Sequence, residues 1–347
     1  MLVPEFGLNR FDWRSLDLFA TDVQRAQDLG WDHALIPDSQ LRRRDTYVMI
    51  AAAAQQTSRI GLGILLANPV NRHASVTASS IATVDELAPG RMLLAMGVGD
   101  TAVRLSGQRP ARVAELKEAT HMIRALLAGE EYEVGAQHPA RLPFARPVPV
   151  WIAAGGPRTL RMAGAVADGV FIRAGTHEAN LRKAIDLIRS GASDAGRDPA
   201  SVRLGLIVHT VLMDDTERAV RISKSMAAGY YEYSPTLFDA PSLGWDGPPI
   251  EELKQQVVPD FHHALDLDHS GGLVDFLPAA AADAFSAHGN AEQVADQLAQ
   301  ALSLDDFQIV VPHPMPNPPL PDDGGEPTYM EIVAREVMPV VKKALGG

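Results

Sequence analysis

Ile60-Gly-Leu-Gly-Ile-Leu-Leu66, Ala67-Asn-Pro-Val-Asn-Arg-His73, an amphipathic segment to Leu87, Pro89-Gly90-Arg91, Met92-Leu-Leu-Ala-Met-Gly-Val98 and Gly99-Asp100 together decide the fold. Two unbroken apolar runs separated by a helical repeat are the pattern of buried parallel strands in a βαβ unit. The stripe Ala74, Ala78, Ile81, Val84 and Ala88 has the spacing of a helix lying on a sheet. Polar residues follow each run: Asn68, Asn71, Arg72 and His73 after the first, Asp100 after the second. In parallel α/β folds ligands bind at that edge.

Outward from this stretch, further strand signals lie at Glu5 to Leu8, His33 to Ile36, Val150 to Ala153, Val170 to Ile172, Val202 to Met213 and Phe307 to Val311, making eight in all. Helical repeats separate them, which predicts a (β/α)8 TIM barrel, with an open doubly wound sheet as the alternative. The rhythm breaks between strands 7 and 8, over residues 229–289, which read as an insertion rich in aromatic residues, Pro and Gly. Prolines crowd residues 312–327, where helix and strand are both disfavoured, and a closing helix runs from Tyr329 to Leu345. The expectation is a single domain over residues 1–347.

The composition, 46% hydrophobic and 21% charged with no run long enough to cross a bilayer, fits a globular chain with a sizeable core. Without cysteine the chain has neither disulfides nor thiolate metal sites nor a cysteine nucleophile. The start has no basic segment and no long apolar run, so no signal peptide is expected and the reading is cytoplasmic, with no membrane partner. A net charge of -12 argues against nucleic-acid binding. Arg42-Arg43-Arg44 stands out against it, either as a solvated loop or as an anion site.

Ala153-Ala-Gly-Gly-Pro-Arg-Thr159 is the best-defined candidate site. It leads from a buried strand into a helix start, where backbone amides and the helix dipole favour an anion. Pro157 suits the first helical position, Gly155 and Gly156 admit close approach, and Arg158 and Thr159 add donors. The same spacing also suits a tight turn that binds nothing. Gly97-Val-Gly-Asp-Thr-Ala102 imitates a dinucleotide fingerprint, but it follows the fourth strand and lacks the later acidic residue. Asp100 reads as a carboxylate at a pocket rim able to move a proton, or else as an N-cap. The eleven histidines show no metal-ligand spacing. With few protein nucleophiles beside an anion cradle, cofactor-dependent redox chemistry is the expected class.

Gly61-Leu-Gly-Ile64, Asn68-Pro69, Arg72-His73, Val76-Thr-Ala-Ser79, Ile81-Ala-Thr-Val-Asp-Glu-Leu87, Gly90-Arg91 and Gly97-Val-Gly-Asp100 resemble the bacterial luciferase-like superfamily. So do Trp151-Ile-Ala-Ala-Gly-Gly-Pro-Arg158, Leu160, Ala163-Gly164 and Ala167-Asp-Gly-Val170. Within it the chain looks most like the branch of methylenetetrahydromethanopterin reductase, which uses the deazaflavin coenzyme F420. The resemblance spans residues 5–228 and 289–313. It implies a barrel holding the coenzyme ring at the C-terminal mouth. Asp38, Ser39 and Asn68 would line that ring, a non-proline cis peptide would fall at Gly63-Ile64, and the phosphate would sit on Gly155, Gly156, Pro157, Arg158 and Thr159. Many relatives carry Asp-His where this chain has Asp38-Ser39, and sugar-phosphate dehydrogenases carry Glu where it has Asp100, which leaves Asp100 as the candidate for proton transfer.

The resemblance therefore implies an F420-dependent oxidoreductase moving hydride between the deazaflavin and an imine, ketone or activated alkene. Arg42 to Arg44 and Arg72 would suit the coenzyme's anionic tail. The alternatives are an FMN-dependent monooxygenase and a flavin-binding protein without turnover. By analogy with other barrels a homodimer is expected.

Overall fold

The computed structural model describes residues 2–316 and 328–346. Nine strands form one sheet: β1 (Glu5–Leu8), β2 (His33–Ile36), β3 (Gly61–Ala67), β4 (Met92–Met96), β5 (Val150–Ala154), β6 (Gly169–Ile172), β7 (Arg203–Leu212), β8 (Ser286–Gly289) and β9 (Phe307–Pro314). Their order is β6-β5-β4-β3-β2-β1-β9-β7-β8, and β6 also pairs with β7. That last pairing closes eight strands into a parallel barrel with helices between them, and β8 stands outside the ring on β7. The TIM barrel is therefore present, with one strand more than the sequence shows. Ser286-Ala-His-Gly289 escaped notice because four small or polar residues carry neither an apolar run nor β-branched side chains. It falls at the end of the segment 229–289 that reads as an insertion.

The chain packs as two compact units, one of Gly7–Phe171 with Leu187–Gly205, the other of Met1–Phe6, Ile172–Asp186 and Leu206–Gly347. In the first, β2, β3, β4 and β5 pair in parallel in near-perfect register, from His33 opposite Gly61 and Leu62 opposite Met92 to Leu94 opposite Val150. The predicted stripe is buried at every position, Ala74, Ala78, Ile81, Val84 and Ala88. Its helix is Ala74–Asp85, capped by the His73 side chain, which accepts the Ser75 amide. Arg91 from the predicted Gly90-Arg91 pair is structural: its guanidinium donates to the carbonyls of Ala54, Thr57 and Ile60, closing the end of helix Thr46–Gln56.

Helix Pro157–Val166 meets the C-terminal half of helix Glu178–Asp194 backbone to backbone. A Cβ on Gly164 would run into the Ile188 carbonyl oxygen, and one on Gly191 into that of Arg161. Only glycine permits both approaches.

In the second unit the insertion folds into short helical turns around an aromatic stack. Tyr231 lies face to face on Trp245 at 4.1 Å, and Phe238 on Phe285 at 4.8 Å. Strand β9 runs to Pro314, three residues into the segment where proline is expected to forbid a strand. Pro314 ends the strand, while Pro312 stands inside it, between the neighbouring strands β1 and β7. The rest of that proline-rich segment, 317–327, lies outside the described residues. Among the described residues no helix is long and apolar enough to cross a membrane.

Candidate active site

Every residue the sequence singled out for the site belongs to the first unit. At the end of β3, Asn68 is 2% exposed, and its Oδ1 accepts the amides of Val70 at 3.1 Å and Asn71 at 2.9 Å. Its Nδ2, equally buried, meets no acceptor among the described residues. A buried donor left unpaired costs about 1–3 kcal/mol, so the position calls for an acceptor from outside the chain. Beside it the end of β4 is pared down to glycine. A Cβ on Gly97 would stand 2.8 Å from Leu66 Cδ2, and Gly99, at φ +75°, lies where a Cβ would come within 3.0 Å of Asn68 Cβ.

The expected cis bond at Gly63-Ile64 is displaced: the non-proline cis peptide joins Leu65 and Leu66. Gly63 and Ile64 sit in the regular part of β3, opposite Leu93 and Leu94, and the register breaks only between Leu65 and Ala67. Gly63 is a packing residue, since a Cβ there would be 2.6 Å from the Leu93 carbonyl oxygen. Ile64 is fully buried.

After β2, Asp38 and Ser39 are both buried. Burial pushes the Asp38 carboxyl above the usual range, Arg72 opposes that rise, and Asp45 adds to it. Arg72 is the hub here: its Nε lies 3.6 Å from Asp38 Oδ2, its Nη2 pairs with Asp45, and its Cζ sits 4.8 Å over the Tyr47 ring. Asp45 also caps helix Thr46–Gln56 by accepting the Tyr47 and Val48 amides. Burial next to Asp38 drives the Tyr47 hydroxyl well above its ordinary pKa. Tyr47 was missed in the sequence because a tyrosine one residue into an alanine-rich helix reads as core.

Asp100 occupies the N-cap position of the short turn Thr101–Arg104, but its side chain makes no cap bond there and pairs instead with Arg104. Its side chain is about one-third exposed.

The cradle after β5 has the predicted form. Val150–Ala154 is buried throughout, and the chain opens to solvent from Gly155 to Thr159. Gly156 is the N-cap of helix Pro157–Val166, with φ -79° and ψ 146°, and Pro157 holds the first helical position. The first intrahelical bond runs from Leu160 N to Gly156 O at 3.0 Å. By helix geometry the Arg158 and Thr159 amides are left for an external acceptor. A Cβ on Gly156 would meet nothing within 4 Å, so there is open space above the cradle.

The family model of luciferase-like monooxygenases matches residues 15–304. The chain belongs to this family. It is 33% identical over 221 residues to a 5,10-methylenetetrahydromethanopterin reductase of Methanolobus tindarius, covering 61% of this chain and 67% of that one. An F420-dependent glucose-6-phosphate dehydrogenase of Beutenbergia cavernae is 31% identical, over 61% of this chain and 69% of its own. Among solved structures, the coenzyme F420 dependent tetrahydromethanopterin reductase of Methanopyrus kandleri superposes with a TM-score of 0.70 at 25% identity. That match covers 98% of this chain and 99% of the other.

The second unit holds a group the sequence did not single out. His209 of β7 packs its ring 4.6 Å from that of His262, and both meet Tyr230. His262 Nε2 lies 3.0 Å from the Met226 carbonyl, and burial holds this imidazole far below its ordinary pKa and so neutral. Among the described residues no three His, Asp or Glu side chains gather as a metal site.

Proposed function

We propose that the chain is an F420-dependent oxidoreductase that moves hydride between the deazaflavin and a small organic substrate such as an imine, ketone or activated alkene. The observation that carries this reading is the open cradle at Gly155 to Thr159, in a chain similar to a dehydrogenase and a reductase that are named for coenzyme F420. The residues fit the coenzyme. The Arg158 and Thr159 amides with the Arg158 guanidinium would hold its phosphate. Asn68 Nδ2 would donate to a ring oxygen or nitrogen, and Leu66, beside the bare Gly97, would lie under the ring in place of Gly63 and Ile64. Asp38 and Ser39 would flank it.

When bound, the reduced deazaflavin supplies the hydride. The chain's own part is positioning and protons. Ser39 offers no imidazole, so Asp100 would deliver the proton that completes reduction at the substrate. Asp38, its carboxyl held high by burial, would remain beside the ring as a hydrogen-bonding partner. The test is a fluorescence titration with F420 and with FMN at several salt concentrations. Tight, salt-sensitive binding of the deazaflavin is expected. Preference for FMN transfers the site to monooxygenase chemistry, and binding of neither refutes the cofactor assignment.

A further inference from the structure

In the second unit, the loop from Arg173 to His177 after β6 is pinned to the end of helix Ala279–Phe285. The Thr176 hydroxyl donates to the Asp283 carbonyl at 2.7 Å, and the amides of Thr176 and His177 donate to that of Ala284 at 2.8 and 3.1 Å. Gly175, at φ +77°, lies where a Cβ would be 2.3 Å from the same Ala284 oxygen. Phe285, which ends that helix, stacks on Tyr230 at 4.9 Å. The loop therefore holds Arg173 on a rigid mount.

Arg173 is partly buried, yet among the described residues its guanidinium makes no hydrogen bond and no ion pair. Its charge is felt inside the unit: after burial and His209 it is the next influence keeping His262 neutral, and it opposes the upward push of burial on the Tyr230 hydroxyl. Asp260, the acid that acts on His262, is engaged by His263 Nδ1 at 2.8 Å. A partly buried guanidinium without an anion is costly, and its planar fork matches a carboxylate or a phosphate.

His262 supplies a second unanswered group. Its Nε2 lies 3.0 Å from the Met226 carbonyl and so carries the proton. The Cδ2–Nε2 edge lies against Gly229, where a Cβ would stand 2.2 Å from Cδ2 and 2.5 Å from Nε2. Nδ1 is the opposite corner of the ring and points away from helix Thr216–Tyr233. It is a buried lone pair that meets no donor among the described residues. A hydroxyl satisfies it, as an anion satisfies Arg173.

We propose that Arg173 and His262 Nδ1, walled by the rings of Tyr230 and His209, form a binding site for a small hydroxylated anion, a carboxylate or phosphate that also bears a hydroxyl group. The site lies wholly within the second unit and goes beyond the function proposed above. It is tested without the coenzyme, so its failure is distinct from failure of the cofactor assignment.

The probes are glycerate and glycerol 3-phosphate, titrated by calorimetry into the full chain. Saturable binding of one of them is expected, and which one binds assigns the anion as carboxylate or phosphate. Arg173→Gln, whose side chain gives up no bond within the described residues, should weaken binding about tenfold or more, and Arg173→Lys should recover part of the loss. Propionate or propyl phosphate, which lack the hydroxyl, should bind about fivefold more weakly. In nitrogen NMR of histidine-labelled protein, the unprotonated Nδ1 of His262 should shift upfield as it accepts the hydroxyl. Absence of saturable binding of both probes overturns the site, as does equal affinity in folded Arg173→Gln. Equal affinity for the probes without a hydroxyl overturns the part given to His262.

Discussion

Replacing Arg72 by Met should destabilise the protein by an amount that depends on pH. The change removes a cation–π contact with Tyr47, worth about 0.5–1 kcal/mol. It also removes a pair with Asp45, whose side chain is 43% exposed, worth about 0.5 kcal/mol or less. The larger loss is at Asp38, whose side chain is only 5% exposed. Breaking a buried pair costs about 3–5 kcal/mol. The 3.6 Å separation and the partial exposure of Arg72 reduce that to about 1–2 kcal/mol, so about 2–3 kcal/mol is expected in all at neutral pH. Because burial raises the Asp38 pKa in the folded state, this group favours folding below its unfolded pKa and the advantage is lost as pH rises. Arg72 limits the loss by stabilising the carboxylate. Without it the deficit should widen as pH climbs from about 4 to neutrality, and shrink to about 1 kcal/mol or less where Asp38 is protonated. Denaturant unfolding of wild type and Arg72→Met across that range measures it. A deficit independent of pH, or one undiminished in an Asp38→Asn background, refutes the argument.

Gly156→Val should cost about 1 kcal/mol or less of stability, because its φ is ordinary and its Cβ faces open space although valine is a poor N-cap, yet abolish saturable F420 binding. Asp100→Asn should lower kcat by roughly 100-fold or more while the deazaflavin Kd, followed by fluorescence, stays within about twofold. Gly164→Ala should yield little soluble protein, or a thermal midpoint far below wild type, since its Cβ meets a carbonyl oxygen that no rotamer change can move.

Residues 60–100 revealed the barrel because continuous apolar runs and a four-three-three-four stripe leave little other way to bury them. The turn into helix Pro157–Val166 was legible for a related reason: Gly-Gly-Pro after a buried strand specifies a backbone shape more than a side-chain contact. The cis bond was not. It lies two residues beyond the expected pair, where Leu65 and Leu66 look like any other core residues and only the register against β4 distinguishes them. The structural tasks of Arg44, which donates to the Trp13 and Arg14 carbonyls, and of Arg72, held by Asp45 and Asp38, could be told only once their partners were known. Strand β8 needed the ladder offered by β7, since its own residues have little preference for an extended backbone.

The glycine contacts at Gly164 and Gly191 carry a mechanical consequence. Where two helices touch through side chains, rotamer changes give the junction compliance; where they touch through peptide groups there is none to give. The proposed anion seat opens the helix fastened this way, so its amides would be a fixed datum, and turnover would be accommodated by other parts of the chain. Amide hydrogen exchange should accordingly find residues 160–166 among the slowest in the protein, while the loops that meet the substrate are free to diverge around a seat that does not move.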